Sequence, residues 1–410
     1  MKRNMRALTV AITVGAVLVP AGIAVASHSH HQRHKAHWDH STLWASPTGT
    51  GTTCTYAAPC TLTSALTNAA SGATVRAKKG IYTGGVTIGT TVIGAAIATP
   101  LHLVGQRGAV INATGDTYGI AIVGSASGTT VRGFTVENAS DTGIIAVPGT
   151  GTTAPAATPP VTHVTIADNV LRDNGTSVAT PGWGIHLISA TDSTVSNNRV
   201  TGNGGGVYLT DEFGPNDHNR VTGNRIWANT LQCGITLAGH VAAWNSSTLL
   251  PTGAGGVFDN LVANNVSNGN GTYVGSNTSD GDGAGILMGG GVLDAAVYGN
   301  VIRDNSATGN GLAGVVIHQH APGDLNANII VGNRIGTNNL LGDTAFTPTD
   351  TVTTGILVGS AAEPITGTVI SRNTISKNAV GIWTLNVPAA SNTIAHNRFA
   401  TSVTTPVLAN

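Results

Sequence analysis

Residues 198–209 read Asn198-Arg199-Val200-Thr201-Gly202-Asn203-Gly204-Gly205-Gly206-Val207-Tyr208-Leu209. Two short patterns with a period of two stand side by side here: Asn, any residue, aliphatic; then Gly, aliphatic, any residue, aliphatic. A period of two is the signature of a strand, with alternate side chains facing in and out. The first pattern recurs at Asn169-Val170-Leu171, Asn224-Arg225-Ile226, Asn300-Val301-Ile302, Asn333-Arg334-Ile335, Asn373-Thr374-Ile375 and Asn397-Arg398-Phe399, with a degenerate copy at Asn265-Val266. Gly133-Phe134-Thr135-Val136 fills the same slot with Gly for Asn. The second pattern recurs at Gly184-Ile185-His186-Leu187, Gly234-Ile235-Thr236-Leu237, Gly285-Ile286-Leu287-Met288, Gly314-Val315-Val316-Ile317 and Gly355-Ile356-Leu357-Val358, and begins again at Gly381-Ile382-Trp383.

Successive copies lie roughly 24 to 41 residues apart, the period of stacked supersecondary units. A coil of two or three short strands cannot bury its own apolar face, so coils must stack in parallel register. The recurring Asn then meets the Asn of the next coil, and its amide donates and accepts along the stack. The fold class expected is all-β: a right-handed parallel β-helix, a solenoid, with a short N-terminal capping helix. That helix is read over Leu62 to Ala70, where it covers the open end of the core as a terminal repeat must.

The N-terminus carries Lys2, Arg3 and Arg6, an apolar run from Ala7 to Val25, and Ala24-Val25-Ala26 as a cleavage site, which together make a secretory signal peptide. The organisation expected is signal peptide 1–26, a His-rich leader 27–45, an N-terminal cap 46–74 and the β-helix domain 75–410. The leader holds His28, His30, His31, His34, His37 and His40, a tract that reads as loose capture of a transition metal or as a polar leader. Localisation is expected to be secreted, extracellular or in the cell envelope. An exported chain permits a disulfide between Cys54 and Cys60, while Cys233, beside an apolar strand, reads as a buried inert thiol.

Only 9% of residues are charged and the net charge is zero. Nucleic acid, which demands a basic surface, and anionic lipid heads are therefore not expected partners, nor is a membrane once the signal is cleaved. A monomer is expected.

Pro59-Cys60-Thr61-Leu62, the Ala-rich helix, Gly72-Ala73-Thr74-Val75 and Gly80-Ile81-Tyr82 resemble the opening of pectin-lyase-like, right-handed parallel β-helix repeat proteins. That superfamily includes polysaccharide lyases, hydrolases and epimerases as well as tailspikes and adhesins, so the resemblance implies a fold and leaves activity open. The motifs of its polygalacturonases are missing: only Gly239-His240-Val241 and the near-pair Asp280 and Asp282 remain, and Arg76-Ala77-Lys78 lies in the wrong coil. The epimerase motif Asp-Pro-His-Asp is absent, and Lys377 is the one lysine beyond the first coils.

Aligning the coils on the Gly of the second pattern gives a candidate site. Just past the strand stand Asp211, Gly239, Gly290 and Gln319, and one position on stand Glu212, His240, Gly291 and His320. With rungs about 4.8 Å apart, Glu212 and His240 are expected to be neighbours, with His320 about two rungs further and Gly289–Gly291 as an open floor. Asp211, Glu212, His240, His318 and His320 are the candidate catalytic residues. An acid and several imidazoles on one face suit general acid–base work or a metal, and a divalent cation is the one cofactor this set suggests. Tyr208, Trp183 and Trp244 are candidate substrate contacts, since aromatic faces suit sugar rings. The leading expectation is a carbohydrate-active protein acting on an extracellular polysaccharide by lyase or hydrolase chemistry. Two alternatives stay open: a non-enzymatic, adhesin-like surface solenoid, and an exported metal-handling β-helix protein resembling accessory proteins of copper-enzyme maturation.

Overall fold

A computed structural model describes residues 41–148, 160–245, 250–274, 282–343 and 352–410. The stretch read as a signal peptide, 1–26, and nearly all of that read as a His-rich leader, 27–45, lie outside the described residues. The chain winds as a right-handed parallel β-helix that is only 3% helical. One long sheet takes a single strand from each coil: Tyr118–Val123, Thr142–Val147, Trp183–Ile188, Gly205–Thr210, Ile235–Gly239, Ile286–Gly290, Val315–Gln319, Thr354–Ser360, Val380–Leu385 and Thr405–Ala409, each parallel to the next. The other long sheet receives two short strands per coil, such as Thr194–Ser196 and Arg199–Thr201.

The core is a set of aliphatic columns. Val131, Ile166, Val195, Val221, Val262, Ile302 and Ile330 stand in register and are all fully buried. Burying a side chain of this size contributes about 1.5–3 kcal/mol, so the column supplies stability coil by coil.

Asn amides tie the corners together, in three ladders. One runs Asn169, Asn198, Asn224, Asn265, Asn305, Asn333, Asn373 and Asn397, each Nδ2 donating to the next Oδ1 at 3.0–3.1 Å. A second runs from Asn174 through Asn203, Asn229, Asn270 and Asn310 to Asn338. A third joins Asn219, Asn260, Asn300 and Asn328. The sequence pattern put Asn300 in the first series; its place there belongs to Asn305. Asn300 meets the motif with Ile302, whereas Asn305 is followed by Ser306 and the small Ala307, so the pattern picked the neighbouring corner of that coil.

The cap helix covers Leu62–Thr67, shorter than read from the sequence, and its N-cap Thr61 Oγ1 accepts from the Ser64 N–H at 3.1 Å. It buries Leu62, Ala65 and Leu66 over the end of the core. Cys54 and Cys60 form a disulfide with a Cα–Cα separation of 4.7 Å. The sheet begins at Thr42–Ala45, inside the stretch assigned to the leader, because Ala45 is fully buried and the segment pairs with Thr74–Ala77.

Candidate functional site

The site grows from the outward side of the single-strand sheet. In Gly205–Thr210, Val207 and Leu209 point into the core and are fully buried, which turns Tyr208 and Thr210 outward. His186 of the preceding coil is in register with Tyr208, and Trp183 belongs to the same strand as His186. The Tyr208 ring stacks on Trp183 with centroids 4.1 Å apart and on His186 at 4.6 Å. Thr210 pairs in register with Ala238, and two residues beyond each stand Glu212 and His240.

His240 links the parts. Its Nδ1 is 2.8 Å from Glu212 Oε1 and its Nε2 is 2.9 Å from the Tyr208 hydroxyl. A carboxylate only accepts, so Nδ1 carries the proton and donates to Glu212; the neutral ring then presents Nε2 as acceptor of the Tyr208 O–H. Burial drives the Tyr208 phenol well above its ordinary value, and the Glu212, Asp282 and Asp211 carboxylates add to the rise, so it stays a donor. Burial alone would raise the Glu212 carboxyl, but the hydrogen bond and charge of His240 outweigh it, with help from His186, and hold it at about 2. The His240 imidazole is shifted the other way: desolvation lowers it, but Glu212 prevails and raises it above 6.5. His186 is buried and lowered to about 4, chiefly by desolvation, so it is neutral at pH 7. Its Nε2 lies 2.9 Å from Thr210 Oγ1.

Asp211 was read from the sequence as a catalytic carboxylate. It has no exposed surface, and its two oxygens accept the His240 N–H at 2.6 Å and the Gly256 N–H at 2.7 Å. Burial pushes it up to about 6. With both oxygens facing backbone donors, it fixes where His240 leaves the sheet and has no surface to offer a substrate.

His318 and His320 form a second group two coils beyond His240. His318 Nε2 lies 2.8 Å from Asp343 Oδ2, and His318 Nδ1 lies 3.3 Å from His320 Nε2. His318 and Asp343 are buried, and His320 is exposed. Between the groups, Gly289 stands in register between Ala238 and His318, and a methyl placed on it would find nothing nearer than 3.8 Å. A methyl on Gly291 would meet His240 Cδ2 at 3.1 Å. Trp244 lies in a short strand, Trp244–Asn245, but its side chain is outside the described residues. Asp343 and His186 were missed by sequence reasoning. His186 carried a signal, an outward position on a strand, whereas Asp343 follows a corner whose length no repeat fixes.

The sequence profile of the family described as periplasmic copper-binding protein (NosD) matches residues 41–268 and 253–409. The chain belongs to the NosD family. No curated protein matches it in sequence. Among solved structures it is similar to an alginate lyase from Paenibacillus sp. str. FPU-7, at 16% identity and a TM-score of 0.50, over 90% of this chain and 98% of that one. It also aligns with pectate lyase Pel9A at 17% identity and a TM-score of 0.49, over 88% and 80% of the two chains. At 16% identity the likeness to the alginate lyase shows the fold alone, a parallel β-helix.

The NosD description raises the question of copper. Among the described residues no group of three or more His, Cys, Asp or Glu side chains is arranged to hold a metal ion. Glu212 Oε2 is a buried acceptor without a hydrogen-bond partner, but the one lone pair of the neighbouring His240, on Nε2, points at the Tyr208 hydroxyl and not at that oxygen. The described residues therefore do not fit a copper centre. No described helix of this NosD-family chain is long and apolar enough to cross a membrane.

Proposed function

We propose that this NosD-family chain is an exported protein that cleaves a uronate-bearing polysaccharide by β-elimination, with Tyr208, His240 and Glu212 as its acid–base group. The observation that carries the reading is the continuous line from the Tyr208 hydroxyl through His240 to Glu212, at 2.9 and 2.8 Å. Neutral His240 supplies a lone pair on Nε2 to take the proton α to the uronate carboxylate. The electrons of that C–H bond form the new double bond and expel the glycosidic oxygen, which takes its proton from the Tyr208 O–H. Glu212 stabilises the resulting imidazolium. The proton on Nε2 then returns to the Tyr208 oxygen across their contact, and the site is reset. Trp183, stacked on Tyr208, limits how the phenol can turn. Hydrolysis is less well supported, because it needs two carboxylates at the reacting bond and Asp211 is occupied by backbone.

The test is a panel of alginates and pectates assayed for the ultraviolet absorbance of unsaturated ends. Purified protein should produce it, with a rate that rises with pH as His240 loses its proton above 6.5. His240→Ala and Tyr208→Phe should abolish it. Wild-type protein that cleaves none of the panel would overturn the reading.

A second reading, metal capture, is favoured by the family description and by the histidines from His28 to His40. Copper content of protein purified without an added tag, with and without residues 27–40, tests it. Stoichiometric copper lost with the tract supports capture there.

A further inference from the structure

The two coils that carry Tyr208 and His240 also build a groove on a different face. Arg199–Thr201 and Arg225–Trp227 are parallel neighbours, with Arg199 in register with Arg225 and Thr201 with Trp227; Val266–Asn268 continues the stack. Val200 and Ile226 point inward and are fully buried, which turns the flanking residues to solvent. Arg199, Arg225, Trp227, Val266 and Asn268 line a cavity of about 370 Å³.

Two features of this groove call for a ligand. Two guanidinium side chains start one rung apart, about 4.8 Å, where like charges repel. Among the described residues neither has an acidic partner, whereas Arg172 is paired with Glu137 and Arg303 with Asp304. What sets these two apart from the other arginines is that they stand in register beside a cavity, where an anion can bridge both forks. Beside it stands Trp227, with 37% of its surface exposed in a structure where Trp183 and Trp383 are buried. An exposed indole next to a guanidinium pair offers a face for a pyranose ring and a fork for its carboxylate.

We infer that this groove binds an acidic glycan: a uronate carboxylate bridges Arg199 and Arg225, a sugar ring lies on Trp227, and Asn268 is placed to meet ring hydroxyls. The inference does not rest on the acid–base reading of Tyr208 and His240, which occupy another face. A chain held here along the helix axis would keep the protein on its polymer whether or not the other site cleaves it.

The probes are oligo-uronates from alginate and pectate, neutral manno-oligosaccharides and sulfated heparin fragments, titrated by calorimetry and by indole fluorescence. Oligo-uronates should bind and perturb the fluorescence, and the affinity should fall as salt rises. The double variant R199Q/R225Q and the single variant W227A should each lose about tenfold or more in affinity. R199K/R225K, which keeps charge but not the planar fork, should recover part of the loss. Unchanged circular dichroism and thermal midpoints serve as the check on folding, since these side chains lie outside the core. His240→Ala should bind as wild type does. Equal binding of neutral oligosaccharides would overturn the proposal, and so would binding of sulfated but not carboxylated chains. Binding lost in His240→Ala but kept in R199Q/R225Q would put the glycan in the other site and overturn it as well. Cleavage, if present, should survive R199Q/R225Q on short substrates, so the two readings fail separately.

Discussion

The two edges of each coil meet the same problem, backbone N–H groups at a corner buried by the next coil, and meet it differently. At one edge an Asn amide from the following coil accepts the N–H, as Asn224 Oδ1 does for Asn198 at 2.9 Å, and the arrangement repeats from coil to coil. At the other edge, beyond Thr210, a single carboxylate does it once: Asp211 accepts the N–H groups of His240 and Gly256. An amide needs no charge and accepts and donates along the row, so it suits repetition. A buried carboxylate is costly, as the rise of Asp211 to about 6 records. The difference teaches where to look for function: the repeated solution holds the scaffold, and the unrepeated, charged one marks the place where a side chain is held for use.

The comparison is broken most directly at the ladder. Asn224→Leu removes the acceptor for the N–H and Nδ2 of Asn198 and the donor to Asn265 and Val195. Each orphaned buried group costs about 1–3 kcal/mol, so the loss in unfolding free energy should be on the order of 3 kcal/mol or more, read from the denaturant midpoint. A shift below about 1 kcal/mol would mean that the ladder merely decorates the packing.

Asp211→Ala should come next. It orphans two N–H groups at one coil step, each at about 1–3 kcal/mol, partly offset by removal of a buried carboxylate, and it should also remove any activity by freeing His240. If activity survives intact, Asp211 does not position the imidazole.

The ionic pair sharpens the contrast through pH. Glu212 is depressed to about 2 from 4.5, so its contribution is present above 4.5 and lost as pH falls through 2. His240 is raised above 6.5, so its contribution is present below 6.5 and lost as pH rises through its folded value. The pair is therefore fully effective between about 4.5 and 6.5. His186, lowered to about 4 from 6.5, acts in the opposite sense: its share is present above 6.5 and lost as pH falls through 4. In Glu212→Gln the His240 imidazole should titrate at lower pH than in wild type, as followed by proton NMR. An unchanged titration would mean that Glu212 does not hold the proton on Nδ1.

The smallest effect belongs to the floor. Gly289→Ala has open space and should change stability by less than about 0.5 kcal/mol. Gly291→Ala, pressing on His240, should broaden or shift the same imidazole resonances. Equal behaviour of the two variants would show that the floor does not touch the site.

Much of the fold was legible because Asn-x-aliphatic and Gly-aliphatic-x-aliphatic encode strand, corner and register together. What the pattern concealed was the number of ladders. Asn219, Asn224 and Asn229 lie five residues apart and serve three corners, yet each has an aliphatic two positions on, so the motif alone does not say which ladder each one joins. The column of Glu212 and His240 was legible because the strands before them align without a slip. The partner of His318 was not, because Asp343 arrives from a connection outside the repeat. The burial of Asp211 could not be read either, since a carboxylate that caps backbone and one that faces solvent look alike in sequence.

The first ladder has one more consequence. Its successive Asn residues are separated by as few as 24 and as many as 41 positions, yet every amide contact closes at 3.0–3.1 Å. The ladder therefore works as an indexing rail: whatever length of chain is spent on the opposite edge, the next coil returns to the same notch. Insertions there can lengthen, shorten or change chemistry without moving any column out of step, which lets a solenoid of this kind acquire a site on one edge while the other stays blind to the change.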